Sequence, residues 1–491
     1  MALPAFLLNI DFYGITVALP SIGRALGAGT TGLQWAVNGF TLALIAPLIA
    51  FGRLGDLVGR RRLLLVGVAL FAAGSTMCGL ANDMGVLIAG RCVQGLAVAL
   101  FSTGPMAIVG DVFPEERHAL AFAIWAAIGA AGSAVGPLVG GALTDLFGWR
   151  WFFFVNLPVA GLTLLLVLAL VPESRDEAAQ GPFDWGGFVA TTLALAALVY
   201  GLQAGDDAGW TAPIVLGALG AGVALGLLAA WVETRARQPL LEPMLFRQKG
   251  YVAVLGVAVT GNFGFSAVIF FAALFLQDQL DLASLQAGVV MLAFSACFVV
   301  TLPLAGRLAD CTSPRLLMGV GMALMAAACL LLAPGGLHWL VAGLAVAGIG
   351  QGFAFNTSTT AGMDAAPAAK AGEASGVLNA ARQLGSTLGI ALGGAVFQTI
   401  ESRGLLAAMQ GPAALDPEQA SLVRALYSGS EAARATLAGL APALRTDIAA
   451  VTAAVFEASF RGAMLVGAAV SVLGILAAIS ARPARPAGAA G

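Results

Sequence analysis

The sequence contains few charged side chains and few of the residues that enzymes use most. Only 10% of its 491 residues are Asp, Glu, Lys or Arg, and it has two histidines. A soluble domain carries about a quarter charged residues, so this composition excludes an ordinary soluble fold. His118 and His338 are too few and too far apart for a metal cluster, and no nucleophile stands in a pattern with a base, which argues against an enzyme.

The charges that are present show no excess of one sign, and cysteine is scarce. The formal net charge is -2, without a block of like charge, so the sequence carries neither a nucleic-acid footprint nor a polybasic membrane patch. We therefore expect no nucleic-acid partner. The five cysteines form no close pair with metal-ligand spacing, which predicts no metal site and favours packing roles; they are Cys78, Cys92, Cys297, Cys311 and Cys329.

In place of charge, the chain has long apolar runs from end to end. Hydrophobic residues make up 59% of it, and about 20 helical residues suffice to cross roughly 30 Å of hydrocarbon. The predicted fold class is therefore an all-α polytopic membrane protein. Its fourteen predicted spans are residues 5–26, 33–52, 63–81, 84–109, 119–147, 151–171, 185–204, 212–232, 251–276, 283–305, 316–333, 337–363, 371–400 and 460–480.

Basic residues in the short connections predict the orientation, because Lys and Arg resist transfer to the outer face. The connections after even-numbered spans are rich in arginine, whereas the short ones on the other side hold only Arg24 and Arg150. This places both termini in the cytoplasm and the protein in the cytoplasmic (inner) membrane. Residues 401–459 then form a long outer loop, in which 418–427 and 431–440 have the pattern of short amphipathic helices.

Segments of the first half recur in the same order in the second half. Residues 52–56 (GRLGD) return as 306–310 (GRLAD), and 132–142 (GSAVGPLVGGA) return as 385–395 (GSTLGIALGGA). The repeat unit is six spans, which predicts halves at 1–172 and 251–491 with an inserted pair of helices within 173–250. Two such halves around a central site are typical of alternating-access transporters.

The connection after span 2 resembles the signature of the major facilitator superfamily, G-x-L-a-D-r-x-G-r-[kr]-x. It reads GRLGDLVGRRR over residues 52–62, with Gly52, Asp56, Gly59 and Arg60 at the signature positions. The resemblance implies the major facilitator fold, with two six-helix halves plus the inserted pair. It also implies that this element latches the halves in the outward-open state together with an acid at the end of span 4, a place that Asp111 fits. A topogenic basic loop is the alternative.

Span 5 resembles the antiporter signature g-x-x-x-G-P-x-x-G-G, which in this family separates exporters from uptake systems. The matching residues are Gly132, Gly136, Pro137, Gly140 and Gly141. The second-half copy has Ile390 where Pro137 stands, so only one copy carries the signature. Small residues at this spacing also allow two helices to approach closely, and generic helix packing is the alternative.

Two further stretches are similar to the fourteen-helix drug:proton antiporter branch of the superfamily. Residues 149–158 (WRWFFFVNLP) match its W-R-W-x-F-x-x-N-x-P, and residues 11–20 (DFYGITVALP) match its first-helix motif. The first helix departs from the pattern, because Tyr13 and Thr16 occupy the usual Thr and Asn positions. The acid, Asp11, is retained.

Three charges lie well away from the ends of predicted spans: Asp11, Arg91 and Arg382. A charge near the bilayer centre costs roughly 2.5–3.5 kcal/mol on insertion scales, so each is a functional candidate. Our hypothesis is that Asp11 carries the proton and that Arg91, in a stretch resembling the family's R-x-x-Q-G element, tunes it. The alternatives are a static pair that holds spans 1 and 4 together, or an Asp11 that reaches the membrane interface.

Polar and aromatic side chains inside the spans are candidates for a substrate cavity. Hydrogen bonding between helices, or packing for the phenylalanines, is the alternative for each of them. The candidates are Asn38, Phe40, Gln94, Gln351, Phe355, Asn356, Asn379, Arg382 and Gln383.

The resemblance and the embedded charges together predict proton-coupled efflux of small amphipathic or drug-like compounds by alternating access. The expected energy source is the proton gradient, with no cofactor, and the expected partners are the substrate, protons and the lipid bilayer, with a periplasmic adaptor and an outer-membrane channel as further candidates. An antiporter for one metabolite or antibiotic is the alternative. A non-transporting receptor or scaffold would need neither the repeated halves nor Asp11.

Overall fold

The computed structural model describes residues 2–102, 108, 115–173, 185–209, 212–233, 248–309, 311–364, 371–410, 436 and 442–481. Within these ranges all regular elements are helices and none is a strand. The helices are α1 Ala2–Leu26, α2 Thr30–Val58, α3 Arg60–Gly79, α4 Met84–Ser102, α5 Glu115–Phe147, α6 Arg150–Phe154, α7 Asn156–Leu170, α8 Trp185–Ala208, α9 Pro213–Glu233, α10 Lys249–Leu274, α11 Ser284–Ala309, α12 Pro314–Leu332, α13 Leu337–Asp364, α14 Ala371–Gln410 and α15 Pro442–Ser480.

Helices occupy the position of each predicted span, which confirms the all-α membrane fold class. In the described residues, nine segments are long and apolar enough to cross a membrane by themselves. The count of fourteen spans stays a prediction. Large apolar side chains face outward along these helices, for example Leu165 on α7 and Leu227 on α9, each 68% exposed. Such surfaces are stable in lipid rather than in water.

The sixth span is divided, which the sequence analysis did not predict. A five-residue helix, α6, ends at Phe154 and α7 begins at Asn156. Pro158 lies in the first turn of α7, where the N–H that proline lacks would have no partner within the helix. Its ring, however, clashes sterically with the preceding turn and so disfavours one continuous helix through α6 and α7. The break places Asn156 at the start of a helix.

The predicted outer loop at 401–459 is shorter than expected. Helix α14 continues to Gln410 and α15 already begins at Pro442, so residues 401–410 and 442–459 are helical. Hydropathy identifies only the part of a helix that is apolar enough to lie in lipid. The alanine-rich extension of α15 is helical because alanine has high helix propensity, although it is not a long apolar segment. The two amphipathic runs predicted at 418–427 and 431–440 lie outside the described residues, apart from helical Thr436.

The same pairs of helices pack against each other in both halves. In the first half, α1 packs against α5, and α4 packs against both α2 and α3. In the second half, α10 packs against α14, and α13 packs against both α11 and α12, which are the corresponding pairs. The inserted helices α8 and α9 pack mainly on each other, and α8 also contacts α2 and α14. The sequence repeat is therefore a repeat in space. The exact domain boundaries stay a prediction.

The described contacts between the halves lie towards the face predicted to be outer. Gln277 Nε2 donates to the Val17 carbonyl at 2.8 Å, and Gln398 Nε2 donates to Thr31 Oγ1 at 2.7 Å. Arg24 forms an ion pair with Asp278 at 3.6 Å. These contacts close the outer side.

An acid at the end of α5 adds a distinctive contact to this closure. The Asp145 carboxylate accepts hydrogen bonds from the backbone N–H groups of Ser284 at 3.1 Å and Leu285 at 2.6 Å. These N–H groups belong to the first turn of α11, in the other half, and have no partner inside their own helix. Asp145 therefore caps a helix across the interface.

Candidate functional site

Asp11 and Arg91 form a buried ion pair between α1 and α4. Arg91 Nη1 donates to Asp11 Oδ2 at 2.5 Å, and the two side chains are 0% and 1% exposed. The hypothesis that these two residues interact rests on sequence position alone, and the structure places them in contact. The interface location considered for Asp11 does not hold in this structure, because the carboxylate is fully buried.

Neutral polar side chains complete the hydrogen bonding of the carboxylate. Asp11 Oδ1 accepts from Asn156 Nδ2 at 3.0 Å and from Gln94 Nε2 at 3.3 Å. Ser75 on α3 lies behind both amides, since its Oγ is 2.8 Å from Gln94 Nε2 and 3.3 Å from Asn156 Nδ2. Helices α1, α3, α4 and α7 therefore meet at one buried carboxylate.

The guanidinium of Arg91 has further partners that do not depend on Asp11. Its Nε donates to the Ala36 carbonyl at 3.1 Å, its Nη1 donates to Gln94 Oε1 at 2.8 Å, and its carbon lies 4.3 Å from the centre of the Phe40 ring. A buried charge is tolerated when it is paired and hydrogen-bonded. If Asp11 took up a proton, Arg91 would keep these neutral contacts but lose its counter-charge, so the pair can link a proton to helix position.

The antiporter signature of α5 lies against the helix that carries Asp11. A methyl group at Gly132 would meet the Phe6 carbonyl at 2.7 Å, and one at Gly136 would meet Gly14 N at 3.2 Å. A methyl group at Gly140 would meet the Gly14 carbonyl. These three glycines allow the backbones of α1 and α5 to touch.

The remaining two residues of the signature face the other half. The Pro137 carbonyl lies 2.5 Å from where a Cβ on Gly288 of α11 would be, and Gly141 lies against Ser284. The signature therefore joins α5 to α1 on one face and to α11 on another. Generic packing within one half does not describe this second contact.

The second-half copy repeats these contacts without the charges. Gly385 and Gly389 of α14 lie against α10, and Gly394 lies against Gln34 of α2. Where Asp11 and Gln94 link α1 to α4, an amide pair links α10 to α13, with Gln351 Nε2 donating to Asn262 Oδ1 at 2.7 Å. The buried ion pair therefore belongs to the first half, and the matching contact in the second half joins two neutral amides.

Arg382 on α14 is a second buried arginine. Its Nη2 donates to Thr359 Oγ1 at 2.6 Å, to the Phe355 carbonyl at 2.9 Å and to Ser358 Oγ at 3.1 Å, all on α13. Its guanidinium carbon lies 3.9 Å from the centre of the Phe355 ring, and Asn379 Oδ1 is 3.4 Å from its Nη1.

A chain of aromatic rings connects the two arginines across the halves. In the first half the chain consists of Phe40, which contacts Arg91, followed by Phe12 and Tyr13. Tyr13 contacts Phe265 of the second half, with 5.7 Å between the ring centroids. The chain ends at Phe355, which contacts Arg382. The steps inside the second half measure 5.3, 5.9 and 6.0 Å, through Phe294 and Phe298. Phe12, Tyr13 and Phe355 are only partly buried. These three rings of the aromatic chain offer stacking surface to flat compounds, while its other rings are buried.

The predicted cavity residues do not form one pocket. Phe40 and Gln94 belong to the Asp11 site, and Gln351, Phe355 and Asn379 lie around Arg382. Asn356 Nδ2 donates to the Leu302 carbonyl at 2.6 Å. Gln383 is partly buried, and Asn38 is fully buried with no hydrogen-bond partner in the described residues for either amide atom.

The predicted latch is described only in part. Gly52 lies inside α2, and Gly59 joins α2 to α3 with φ of 123°, a backbone conformation that favours glycine. Glu173, just after α7, accepts from the Arg61 N–H at 3.1 Å and lies 3.5 Å from Arg62 Nε. Arg60 begins α3. The side chain of Asp56, and all of Asp111, lie outside the described part of the chain.

Sequence reasoning missed three acids or amides at these sites. Asn156 stands inside the quoted W-R-W-x-F-x-x-N-x-P stretch, so the motif was a usable signal. Glu173 and Asp145 lie at helix ends and carry no local pattern that separates them from other surface acids. Their partners are far away in sequence, on α3 and α11.

The fold and the buried sites define a class: a polytopic membrane transporter built from two related helix bundles with a polar and aromatic centre. The chain belongs to the major facilitator superfamily, since the family model described as Major Facilitator Superfamily matches residues 1–390. The chain is 34% identical to the multidrug resistance protein Stp of Mycobacterium tuberculosis, covering 96% of this chain and 89% of that one. It is 31% identical to the multidrug efflux pump LfrA of Mycolicibacterium smegmatis (97% and 94% covered) and 31% identical to the methylenomycin A resistance protein of Bacillus subtilis (81% and 86% covered).

Solved structures share the fold at low sequence identity. A bacterial homologue of the human lysosomal transporter Spinster, in an inward-facing and unoccupied conformation, superposes with a TM-score of 0.64 at 18% identity, covering 98% of this chain and 96% of that one. A POT family transporter in complex with 5-aminolevulinic acid gives a TM-score of 0.61 at 14% identity, with 92% and 93% covered. These similarities establish the architecture.

Proposed function

We propose that this protein exports small amphipathic or drug-like compounds across the cytoplasmic membrane in exchange for protons. The observation that carries the proposal is the Asp11–Arg91 ion pair, buried on helices whose mutual position would change as the transporter alternates. The names of the relatives, which include multidrug efflux pumps, support export of drug-like compounds. The antiporter signature supports the direction, because in this family it separates exporters from uptake systems.

In the proposed cycle Asp11 is the proton carrier and Arg91 is its exchangeable counter-charge. With the outer side closed, as in this structure, the carboxylate accepts hydrogen bonds from Arg91 and from the amides of Gln94 and Asn156. A proton on Asp11 would remove the attraction between α1 and α4 that the pair supplies. Since a ligand shifts a conformational equilibrium only through its different affinity for the two states, this change in pairing is where proton binding can drive helix movement.

The energy source in this proposal is the proton gradient, without a metal or organic cofactor and without enzymatic catalysis. The protein would be multi-pass in the inner membrane, with both termini in the cytoplasm. It would meet the substrate, protons and lipid but no nucleic acid. A periplasmic adaptor with an outer-membrane channel is a further candidate partner.

A second candidate function is export of one antibiotic or metabolite. The relative named as a methylenomycin A resistance protein favours it, as does another named as the tetracenomycin C resistance and export protein of Streptomyces glaucescens, 31% identical over 81% of this chain. The two candidates differ in substrate range and share the same coupling site.

Uptake of fluorescent dyes and of individual antibiotics into inverted vesicles energised by a proton gradient tests the proposal. We expect gradient-dependent uptake by the native protein, its loss on adding an uncoupler, and its loss in Asp11→Asn. Asp281→Asn is the matched control, because Asp281 lies in an outer turn with φ of 51°, which asparagine also tolerates. Gradient-driven transport at the native rate by Asp11→Asn would overturn the assignment of Asp11.

A further inference from the structure

Arg382 is a buried cation without an acidic partner in the part of the chain that the structure describes. The residue is 6% exposed, and its hydrogen-bond acceptors are a backbone carbonyl, two hydroxyls and an amide oxygen, all neutral. Arg91, the other buried arginine, has Asp11. An unpaired buried charge is costly, so the position of Arg382 calls for a counter-charge from another source.

The surroundings of Arg382 contain a second unsatisfied group. A small cavity between α10, α13 and α14 is lined by Arg382, Gln351, Asn262 and Phe355, among others. Its volume is about 10 Å³, about what one water-sized polar group needs. Gln351 is 4% exposed and its Oε1 has no hydrogen-bond partner in the described residues. A group that fills this cavity can therefore offer a negative oxygen to Arg382 and an N–H or O–H to Gln351.

The cavity adjoins the surface where an aromatic compound would stack. Phe355 lines it, lies beneath Arg382 and ends the aromatic chain that begins at Phe40. Guanidinium groups bind carboxylates and similar oxyanions through short, charge-assisted hydrogen bonds. The cavity is too small for a whole drug-sized molecule and has room for about one oxygen atom of its terminal group.

We propose that Arg382 and Gln351 bind the acidic group of an exported aromatic compound, whose rings lie along the aromatic chain. The ligand class is therefore aromatic acids that also carry a hydrogen-bond donor, such as hydroxy acids and acidic phenols. The proposal rests on the proposed export function and narrows the amphipathic or drug-like compounds expected from the sequence to a class that includes aromatic acids. Arg382 would then be a specificity-determining residue.

The test compares three probes of similar size and different charge: salicylate, its neutral amide salicylamide, and the cation benzylammonium. Equilibrium binding to the purified full-length protein in lipid nanodiscs is measured for each. We expect the native protein to bind salicylate at least about tenfold more tightly than salicylamide, because a hydrogen bond to a charged group contributes on the order of 1.5–3 kcal/mol. Benzylammonium should bind more weakly than either.

Arg382→Gln should remove this preference by weakening salicylate binding about tenfold while leaving salicylamide binding unchanged. Arg382→Lys should keep part of it, since the charge remains but the planar guanidinium is lost. Arg461→Gln is the matched control, because Arg461 on α15 is exposed and its Nε contacts only a backbone carbonyl, at 3.4 Å. Thermal unfolding of each variant separates loss of binding from loss of fold.

Native protein that binds salicylamide or benzylammonium as tightly as salicylate, or that binds no salicylate, would overturn the proposal whatever the variants do. The proposed function is tested separately by gradient-driven transport and Asp11→Asn. Proton-driven export without a preference for acids would leave the function intact and remove only the role of Arg382. A preference for acids without gradient-driven transport would support the role of Arg382 and contradict the proposed function.

Discussion

Asp11 draws its hydrogen-bond donors from α4 and α7, so single side chains on different helices control one carboxylate. Asn156 is the donor from α7, at 3.0 Å from Asp11 Oδ1. Its position at the start of α7 follows from the break after α6. The residue matters to the site because it donates a hydrogen bond to Asp11 without adding a charge of its own.

Asn156→Ala should slow proton-driven transport about tenfold or more, because a hydrogen bond to a charged group contributes on the order of 1.5–3 kcal/mol. Thr163→Ala is the control on the same helix, since Thr163 is buried but its hydroxyl donates only to the Val159 carbonyl one turn away. Initial rates of dye uptake in energised vesicles measure both. Equal rates for the two variants would show that Asn156 does not support Asp11.

Helices α1 and α5 approach each other closely, and glycine determines how near they come. The two backbones meet at Gly14 and Gly140, with no room for a side chain between them. Because α1 carries Asp11 and α5 also touches α11, a shift of this contact would move the ion pair relative to the other half. The antiporter signature therefore acts at the scale of whole helices.

Gly140→Ala should destabilise the protein by about 1–3 kcal/mol, the usual cost of overpacking, and should reduce transport. Gly161→Ala on α7 is the matched control, because no atom of the described residues lies within 4 Å of where its Cβ would be. There alanine should stabilise the helix by up to about 1 kcal/mol relative to glycine. Thermal unfolding in detergent, with transport in vesicles, checks both. Tolerance of alanine at Gly140 would argue against a tight α1–α5 contact.

On the face of the molecule predicted to be outer, the two halves are in contact, and Asp145 supplies a contact that joins a charge to a helix end. Its carboxylate faces the first turn of α11, where the helix dipole favours a negative group. This contact requires the two halves to be close. It should therefore favour the inward-facing arrangement over the outward-facing one.

Asp145→Ala should shift the equilibrium towards the outward-open state by about fivefold, since alanine removes both accepting oxygens and the loss of a helix cap costs on the order of 1 kcal/mol. Spin labels at Leu80 and Trp339, exposed at the ends of α3 and α13 on the predicted outer face, would report a longer distance in a variant whose native cysteines have been replaced. Asp83→Ala is the control, because Asp83 caps α4 within one half through the Val86 N–H at 2.9 Å. A distance distribution unchanged by Asp145→Ala would contradict this role.

The sequence by itself determined the properties that depend on composition and local pattern. Apolar runs identified lipid as the solvent, the repeated segments identified two related halves, and the positions of Asp11, Arg91 and Arg382 inside spans marked them as unusual. These inferences hold because the cost of a charge in hydrocarbon and the periodicity of a helix are local properties.

Only the tertiary structure decided which of these residues meet. Packing against several neighbours sets the rotation of each helix about its axis. This rotation places Asp11 in contact with Arg91 and Asn156 and surrounds Arg382 with neutral oxygens. It also places Glu173 and Asp145 against residues far away in the sequence. The antiporter glycines were visible in the sequence, but their two separate contact faces were not. Contacts between helices hundreds of residues apart depend on the packed arrangement of the whole bundle, which no local pattern encodes.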